Sequence, residues 1–512
     1  MDPAVAYDTV SYEPILNVYQ TLVNYNGSNT ATFVPTLATC VPGTSQCVTD
    51  YGSNLTGYIG SQPIYWTFVI DPAAQFFDPN TGNHWGVYPS DVAFSVARTM
   101  AFADLPGVGA NNGWILAQSL LPANGHGIHA PFNNTPFDVL SSFLINDSTY
   151  CPAAAMSHAH GCITFVANGS GSDWPFFLQL IGDNLGGSVV PCGWFTHEGA
   201  GVPSWPGTLA AGGDGSCQLP GNVNNTQAAG FQSVLTADNT PLGSATWDAF
   251  EDLALTGPSV VQPNVNALMV GSGPYYGSIT LSSGYTLFTN PNYAQPSGCN
   301  AASGLAIYSG YCDPAPGSYQ GTVHVTYQGG DSATITGFQA GNLDLGGFEP
   351  QDTGTILNEQ AHGKLGLFYS PTLSIFFWPY DFNASSTAYT GDGFSGVYNI
   401  PGDLFSSNSA RMLFDYAYPY ATVESTLNTV DGIQFGVNTG GPIPQHMGNY
   451  YPLNVSFPNA NPDLNPADVG GAAWWANQAM NVTSSPYYDQ ELAQCKNVTC
   501  VFPIAGEIGA DA

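Results

Sequence analysis

Positive charge is what this chain has least of. Arg98, Lys364, Arg411 and Lys496 are its only basic residues, against 36 acidic ones, for a formal net charge of −32. Nucleic acid and anionic lipid need clustered cations to neutralise phosphates, so both are excluded as partners. Carboxylates are sparse as well, because only 8% of residues are charged, and the composition does not resemble a halophile surface. The exterior must be built from Asn, Ser, Thr, Gly and Tyr. With so few cations, few ion pairs are lost when carboxylates protonate, which closes one route to acid denaturation. The composition reads as an acid-adapted exterior; the alternative is a secreted glycoprotein whose sugars replace charge.

Other absences narrow the function. Gly-x-Ser-x-Gly is missing, so there is no nucleophile elbow, and the few acidic residues single out no glycosidase pair. Cysteines with C-x-x-C spacing are missing too, which argues against zinc. His158-Ala-His160 offers two imidazoles, but a structural loop is the simpler reading, and Asp78-x-Asn80 lacks the later carboxylate of a calcium loop. Gly271-Ser-Gly273 is followed by glycine at 277, one residue late for a dinucleotide loop. No catalytic residue, metal ligand or cofactor is expected. Fixed-period repeats and heptads are absent, as are a leader and an apolar run of about 18 residues. The export signal and any anchor are expected outside this chain.

What is present points to export. Ten cysteines fall into close neighbours, Cys40/Cys47, Cys151/Cys162, Cys192/Cys217, Cys299/Cys312 and Cys495/Cys500. Local disulfides formed in an oxidising compartment are the simplest of many connectivities. Ten Asn-x-Ser/Thr sequons begin at Asn26, Asn54, Asn133, Asn146, Asn168, Asn224, Asn383, Asn454, Asn481 and Asn497. Together they predict a glycosylated extracellular or cell-surface protein.

Periodicity predicts a helix within Val10–Val23 interrupted near Pro14, a strand over Ile64–Ile70, and a helix over Ser90–Phe102 capped by Ser90. Further helices are expected at Phe132–Ile145, Trp174–Ile181, Trp247–Leu255, Ser409–Tyr418 (with Ser409 near its cap) and Ala467–Asn481. Strands are expected at Thr322–Tyr327 and Leu373–Trp378, a helix or strand at Asp331–Ala340, and a stapled loop insertion over Gly182–Gly230. Strands and helices intermix without a βαβ period, which fits a two-lobed mixed α/β protein better than a barrel or a Rossmann domain.

Short motifs then recur in a fixed order. They are Asp2-Pro-Ala4, Tyr7-Asp-Thr9, Tyr88-Pro-Ser-Asp-Val-Ala-Phe-Ser95 with Arg98, Val270-Gly-Ser-Gly-Pro-Tyr-Tyr276, Asn290-Pro-Asn-Tyr293, Ala340-Gly-Asn-Leu-Asp344, Trp378-Pro-Tyr-Asp-Phe-Asn383 and Ser409–Tyr418. In this order the chain resembles the extracellular solute-binding proteins of the oligopeptide/dipeptide (family 5) ABC importers. The resemblance implies a two-lobed periplasmic-binding-protein-like (type II) α/β fold. Lobe I would take residues 1–27 and 176–375, an inserted subdomain 28–175, and lobe II 376–512, with a hinge near Phe376–Phe382. By position, the cleft contacts would be Tyr7, Thr9, Trp378, Tyr380 and Asp381. The glycine motif would be a tight strand-entry turn.

Two departures from the family stand out. The family opens on a strand before Asp-Pro-Ala, whereas here Met1 directly precedes Asp2, and it continues beyond Ala512. The expected function is capture of an oligopeptide or oligosaccharide by hinge closure, for delivery to an ABC permease. Basic residues are too few to clamp an anion, which favours a neutral, hydroxyl-rich or aromatic ligand. The rival expectation is a structural surface or filament subunit, self-assembled through a sheet edge left open by the absent first strand.

Overall fold

A computed structural model describes residues 2–102, 116, 120, 143–197, 268–294, 321–368, 380, 382, 401–437 and 472–496, except 5, 7, 8, 27, 28, 60, 61, 159, 167–176, 281, 282, 419, 427 and 491. The chain is mixed α/β and divides into two compact units, Met1–Tyr327 and Gln328–Ala512.

In the first unit, helix α1 (Thr9–Val18) leads into an antiparallel pair, β1 (Val23–Asn26) and β2 (Asn29–Pro35). The helix ends earlier than the apolar spacing predicts and carries Pro14 inside it. Ile15 and Val18 on the helix, with Tyr19 and Leu22 just beyond its end, are nevertheless fully buried, so packing outweighs the hydrogen bond that Pro14 removes. After α2 (Ser45–Tyr51) come β3 (Thr56–Ile59), β4 (Gln62–Val69), the pair β5 (Gln75–Phe77) and β6 (His84–Gly86), helix α3 (Pro89–Phe102) and β7 (Phe143–Ile145). Next are α4 (Ala153–His158), β8 (Cys162–Val166), α5 (Phe177–Gly182), α6 (Asn184–Gly187) and α7 (Cys192–His197). Residues 143–145 are a strand and not the end of a helix. Residues 183–197 carry two short helices where the composition predicts a loop.

Strands β3, β4, β8 and β7 form one antiparallel sheet in the order β3-β4-β8-β7. Strand β4 is central, and its residues Trp66–Val69 are buried on both faces. On one face Trp66 and Phe68 meet Phe165 and Phe177, with Phe165 and Phe177 rings 5.2 Å apart. On the other, Thr67 pairs hydroxyl to hydroxyl with Thr164 at 2.9 Å, so neither buried oxygen lacks a partner. Val69 packs there against the Cys40–Cys47 and Cys151–Cys162 disulfides. Cys47 of α2 and Ala155 of α4 belong to the same cluster, so the cross-links and two short helices cover this sheet face together. Cys192 and Cys495 are disulfide-bonded as well; Cys217, Cys299, Cys312 and Cys500 lie outside the described residues. A second sheet, in the order β12-β11-β10-β9, comprises β9 (Leu268–Met269), β10 (Tyr275–Thr280), β11 (Gly284–Thr289) and β12 (Thr322–Thr326). Its inner residues Met269, Tyr275, Ile279, Tyr285 and Leu287 join the main core, while Ser278, Thr322, His324 and Thr326 are exposed.

Helix α3 is the hub of this unit. Its first residue is Pro89, so Tyr88, and not Ser90, stands at the N-cap position, and the amide of Tyr88 donates to the Asp91 carboxylate at 2.9 Å. The other Asp91 oxygen accepts from the Cys192 amide at 3.1 Å. One turn on, the Val190 amide donates to Ser95 Oγ at 2.9 Å. A further turn on, Arg98 binds Asp2 with both arms of its guanidinium and lies 5.1 Å from the centre of the Phe195 ring. Asp2 and Arg98 side chains are only 2% and 1% exposed.

The second unit contains α8 (Asp331–Gln339), α9 (Thr353–Ala361), α10 (Asn408–Ala417), α11 (Tyr420–Thr426), the hairpin β13 (Thr429–Val430) to β14 (Ile433–Gln434), and α12 (Ala472–Met480). Asp331–Ala340 thus resolves to a helix. The hairpin turns on Asp431-Gly432, both at positive φ (50° and 83°), the two-residue turn that matches strand twist. Helix α10 is capped by Ser407, whose Oγ accepts from the Ala410 amide, while the Ser409 hydroxyl donates to the Tyr487 carbonyl. Leu404, Ala410, Ala479 and Leu492 form its core. The expected elements at 247–255 and 373–378 lie outside the described residues.

Two predictions follow from α3. Arg98→Met strands a buried carboxylate and should lower unfolding free energy by about 3–5 kcal/mol in urea at neutral pH; adding Asp2→Asn should recover part of that loss. Burial pushes the Asp91 carboxyl up to about 7, against the pull of its two amide donors. An aspartate in the unfolded chain titrates near pH ~4. The stability contributed by protonated Asp91 is therefore complete below that pH and is lost as pH rises through about 7. Relative to Asp91→Asn, the wild-type urea midpoint should fall between pH 4 and pH 7 (roughly the unfolded and folded titration points); parallel midpoints would refute it.

Candidate functional site

Thr9 is the first residue of α1, and a joint at the far end of the helix holds it in place. The Gly273 amide donates to the last helical carbonyl, Val18 O, at 2.8 Å. A Cβ on Gly271 would come within 2.0 Å of that same oxygen, and one on Gly273 within 2.7 Å of Asn17 O, so only glycine permits the approach. Asn290 closes the joint. Its Nδ2 donates to Gly273 O at 2.9 Å, its backbone amide to Pro274 O at 2.8 Å, and its Oδ1 accepts from the Asn292 amide at 2.9 Å. Val270–Tyr276 and Asn290–Tyr293 are therefore one structural unit. The glycine turn receives a protein carbonyl where a nucleotide loop would receive phosphate.

In the second unit, the half-buried Tyr380 tilts against Phe405, with ring centres 4.8 Å apart, and its hydroxyl donates to Asp415 Oδ1 on α10 at 2.6 Å. The same hydroxyl lies 3.5 Å from the Arg411 carbonyl. Arg411, on the same helix, donates to Phe405 O at 2.5 Å and Ser406 O at 3.0 Å and lies 5.0 Å from the centre of the Phe382 ring. Neither arginine is thus free for an anionic ligand. Tyr7, Trp378 and Asp381 lie outside the described residues, and nothing is described of the Thr9 side chain. Thr9 and Tyr380 belong to different units.

Other candidates have structural duties. His160 Nδ1 sits 2.7 Å from Val87 O and its ring stacks on Tyr88, centres 4.6 Å apart. Asp78 accepts from the Asn80 amide and the Thr81 hydroxyl, both at 2.9 Å, making a turn. Among the described residues no group of three or more His, Cys, Asp or Glu could hold a metal. Sequence reasoning missed Asp91 and the Phe195 ring beneath Arg98. The Asp91 carboxylate three residues after Tyr88 at a helix start was a readable signal, whereas Phe195 is adjacent only in space.

No protein-family model matches the chain, and no curated protein matches it. Solved structures do. The ABC transporter-associated periplasmic binding protein DppA of Helicobacter pylori, in complex with the peptide STSA, is 16% identical with a TM-score of 0.35, over 70% of this chain and 46% of that one. The binding protein MoaA of A. tumefaciens R10, in complex with mannopinic acid, is 14% identical with a TM-score of 0.35, over 71% and 45%. A substrate binding protein of Microbacterium hydrocarbonoxydans, complexed with 4-hydroxybenzoate hydrazide, is 16% identical with a TM-score of 0.34, over 69% and 45%. The chain thus spans less than half the length of the structures it matches. At these identities and scores, ligands and transporters remain properties of those proteins.

The joint at α1 makes a testable demand. Gly271→Ala should destabilise the protein by about 1–3 kcal/mol in urea, because a methyl group must displace backbone. Gly347→Ala, with nothing within 4 Å of the added carbon, is the control and should leave the midpoint nearly unchanged.

Proposed function

We propose that this chain is an extracellular solute-binding protein that captures a neutral oligosaccharide or oligopeptide by hinge closure, for delivery to an ABC permease. One observation carries this reading: motifs that follow the order of such proteins interlock in pairs. Asp2-Pro-Ala meets Arg98 across 96 residues, and Val270–Tyr276 locks to Asn290–Tyr293. In this reading lobe I takes 1–27 and 176–375, the inserted subdomain 28–175 and lobe II 376–512. Tyr7, Thr9, Trp378, Tyr380 and Asp381 line the cleft, where aromatic faces suit sugar rings and apolar side chains. Engagement of Arg98 and Arg411 within the protein supports a neutral ligand. Closure desolvates the ligand's polar contacts and converts differential affinity into a population shift.

A second reading, a structural surface or filament subunit, draws on β12, the end strand of its sheet among the described residues, with Thr322, His324 and Thr326 exposed. Native mass spectrometry of gently purified protein separates the two. A monomer carrying a small co-purified oligosaccharide or peptide is expected, and Trp378→Ala should weaken its retention by about tenfold or more, the loss of roughly 1.4 kcal/mol or more. A ligand-free polymer whose assembly survives Trp378→Ala would sink the transport reading.

A further inference from the structure

Four of the ten sequon asparagines fall among the described residues, Asn26, Asn54, Asn146 and Asn481, and three of them have all of their sequon described. Their surroundings differ sharply. Asn54 is exposed just ahead of β3, and only its backbone is held, the Gly43 amide donating to its carbonyl at 2.7 Å. Asn481 is exposed just after α12, with Thr483 of the same sequon exposed beside it. Its backbone amide is fixed on Asn477 O at 2.9 Å, and its Nδ2 meets only the exposed Asn477 side chain, at 3.2 Å. Water or a sugar hydroxyl can replace that contact.

Asn146 is built inward. Its backbone sits at a φ of 50°, its amide donates to Cys162 O at 3.0 Å, and its Oδ1 accepts from the Cys162 amide at 2.7 Å. The carboxamide lies flat over Gly161, with Oδ1 2.3 Å and Nδ2 2.9 Å from where a Cβ on that residue would stand. A sugar on Nδ2 would have to fit against Gly161, beside the clasp that joins β7 to β8 and the Cys151–Cys162 disulfide.

We propose that Asn54 and Asn481 carry N-linked glycans and that Asn146 stays unmodified. In each transfer Nδ2 displaces a lipid pyrophosphate from the anomeric carbon of a lipid-linked oligosaccharide. A C–N bond forms, the C–O bond to phosphate breaks, and the amide gives up one proton. The two glycans place bulky hydrated groups on both units of a chain that has few charges with which to hold water. The proposal rests only on the export part of the proposed function.

Glycopeptide mapping of protein purified from the cells that naturally make it tests this without any variant. Expected are glycan-bearing peptides at Asn54 and Asn481 and a bare peptide at Asn146. A bare Asn54 or Asn481, or a glycan on Asn146, overturns it. In the same cells Asn54→Gln and Asn481→Gln should each remove one glycan mass from the intact protein. Thr483→Ala should do the same as Asn481→Gln while keeping the asparagine, and Asn146→Gln should leave the glycan mass unchanged. A glycosylated protein that retains no ligand would leave this inference standing and defeat the capture reading; a bare protein that retains ligand would do the reverse.

Discussion

The buried pair Asp2–Arg98 is the constraint around which the first unit is arranged. Taking two charges out of water costs several kcal/mol per ion, and only a complete two-armed contact offsets it. That contact holds the N-terminal segment against α3 and sets the guanidinium over Phe195 of α7. Burial, with the Asp2 carboxylate adding to it, pushes the neighbouring Tyr19 phenol up, so it stays neutral. The same face of α3 carries Ser95 and Asp91, at helical spacing from Arg98. Each of the three reaches residues 190–195 or Asp2, while Val92, Ala93, Phe94 and Val96 fill the core. A polar stripe thus fastens a distant segment to a helix whose Val92, Ala93, Phe94 and Val96 pack in the core.

Sparse charge and buried charge act together. Among the described cations, Arg98 and Arg411 face protein oxygens and aromatic rings, while Lys364 pairs with Glu359 at 2.8 Å with its side chain 60% exposed, a contact worth little in water. Acid therefore has little favourable pairing to remove apart from Asp2–Arg98. Asp91 responds in the opposite sense to a surface carboxylate, since its protonated form is the one the fold favours. The exposed face of β12 shows the surface that results, built from threonine and histidine.

Elements with long periodicity were legible in the sequence: α3, α10 and β4 lie close to where spacing puts them, because their apolar faces pack as the pattern requires, fully buried in α3 and over Trp66–Val69 of β4 and half-buried in α10. What the pattern missed was decided by partners distant in sequence. Helix α1 ends at Val18 because Gly273 docks on its last carbonyl. Phe143–Ile145 becomes a strand because β8 offers it a ladder. Caps shifted by two residues where a side chain outside the expected position reached the free amides, Asp91 at α3 and Ser407 at α10. The Val430-Asp-Gly-Ile433 hairpin was readable and was overlooked. The proposed cleft contacts rest on resemblance alone, since aromatic residues such as Tyr380 look alike whether they pack or bind.

The glycine motif shows why a strong signal need not mark a site. Gly271 and Gly273 are required because a helix carbonyl occupies the space their side chains would fill, and Asn290 is required because its amide and carbonyl groups close the same joint. These demands come from backbone geometry and do not change with the ligand. A ligand-lining residue has no such fixed demand, because a different sugar or peptide calls for a different side chain. The Asp2-Pro-Ala4, Tyr88–Arg98, Val270–Tyr276 and Asn290–Tyr293 motifs therefore specify how α1 and α3 are held. In the proposed reading, ligand identity belongs to cleft candidates such as Tyr7, Thr9, Trp378, Tyr380 and Asp381, and not to the glycine joint, whose neighbours are all supplied by the chain itself.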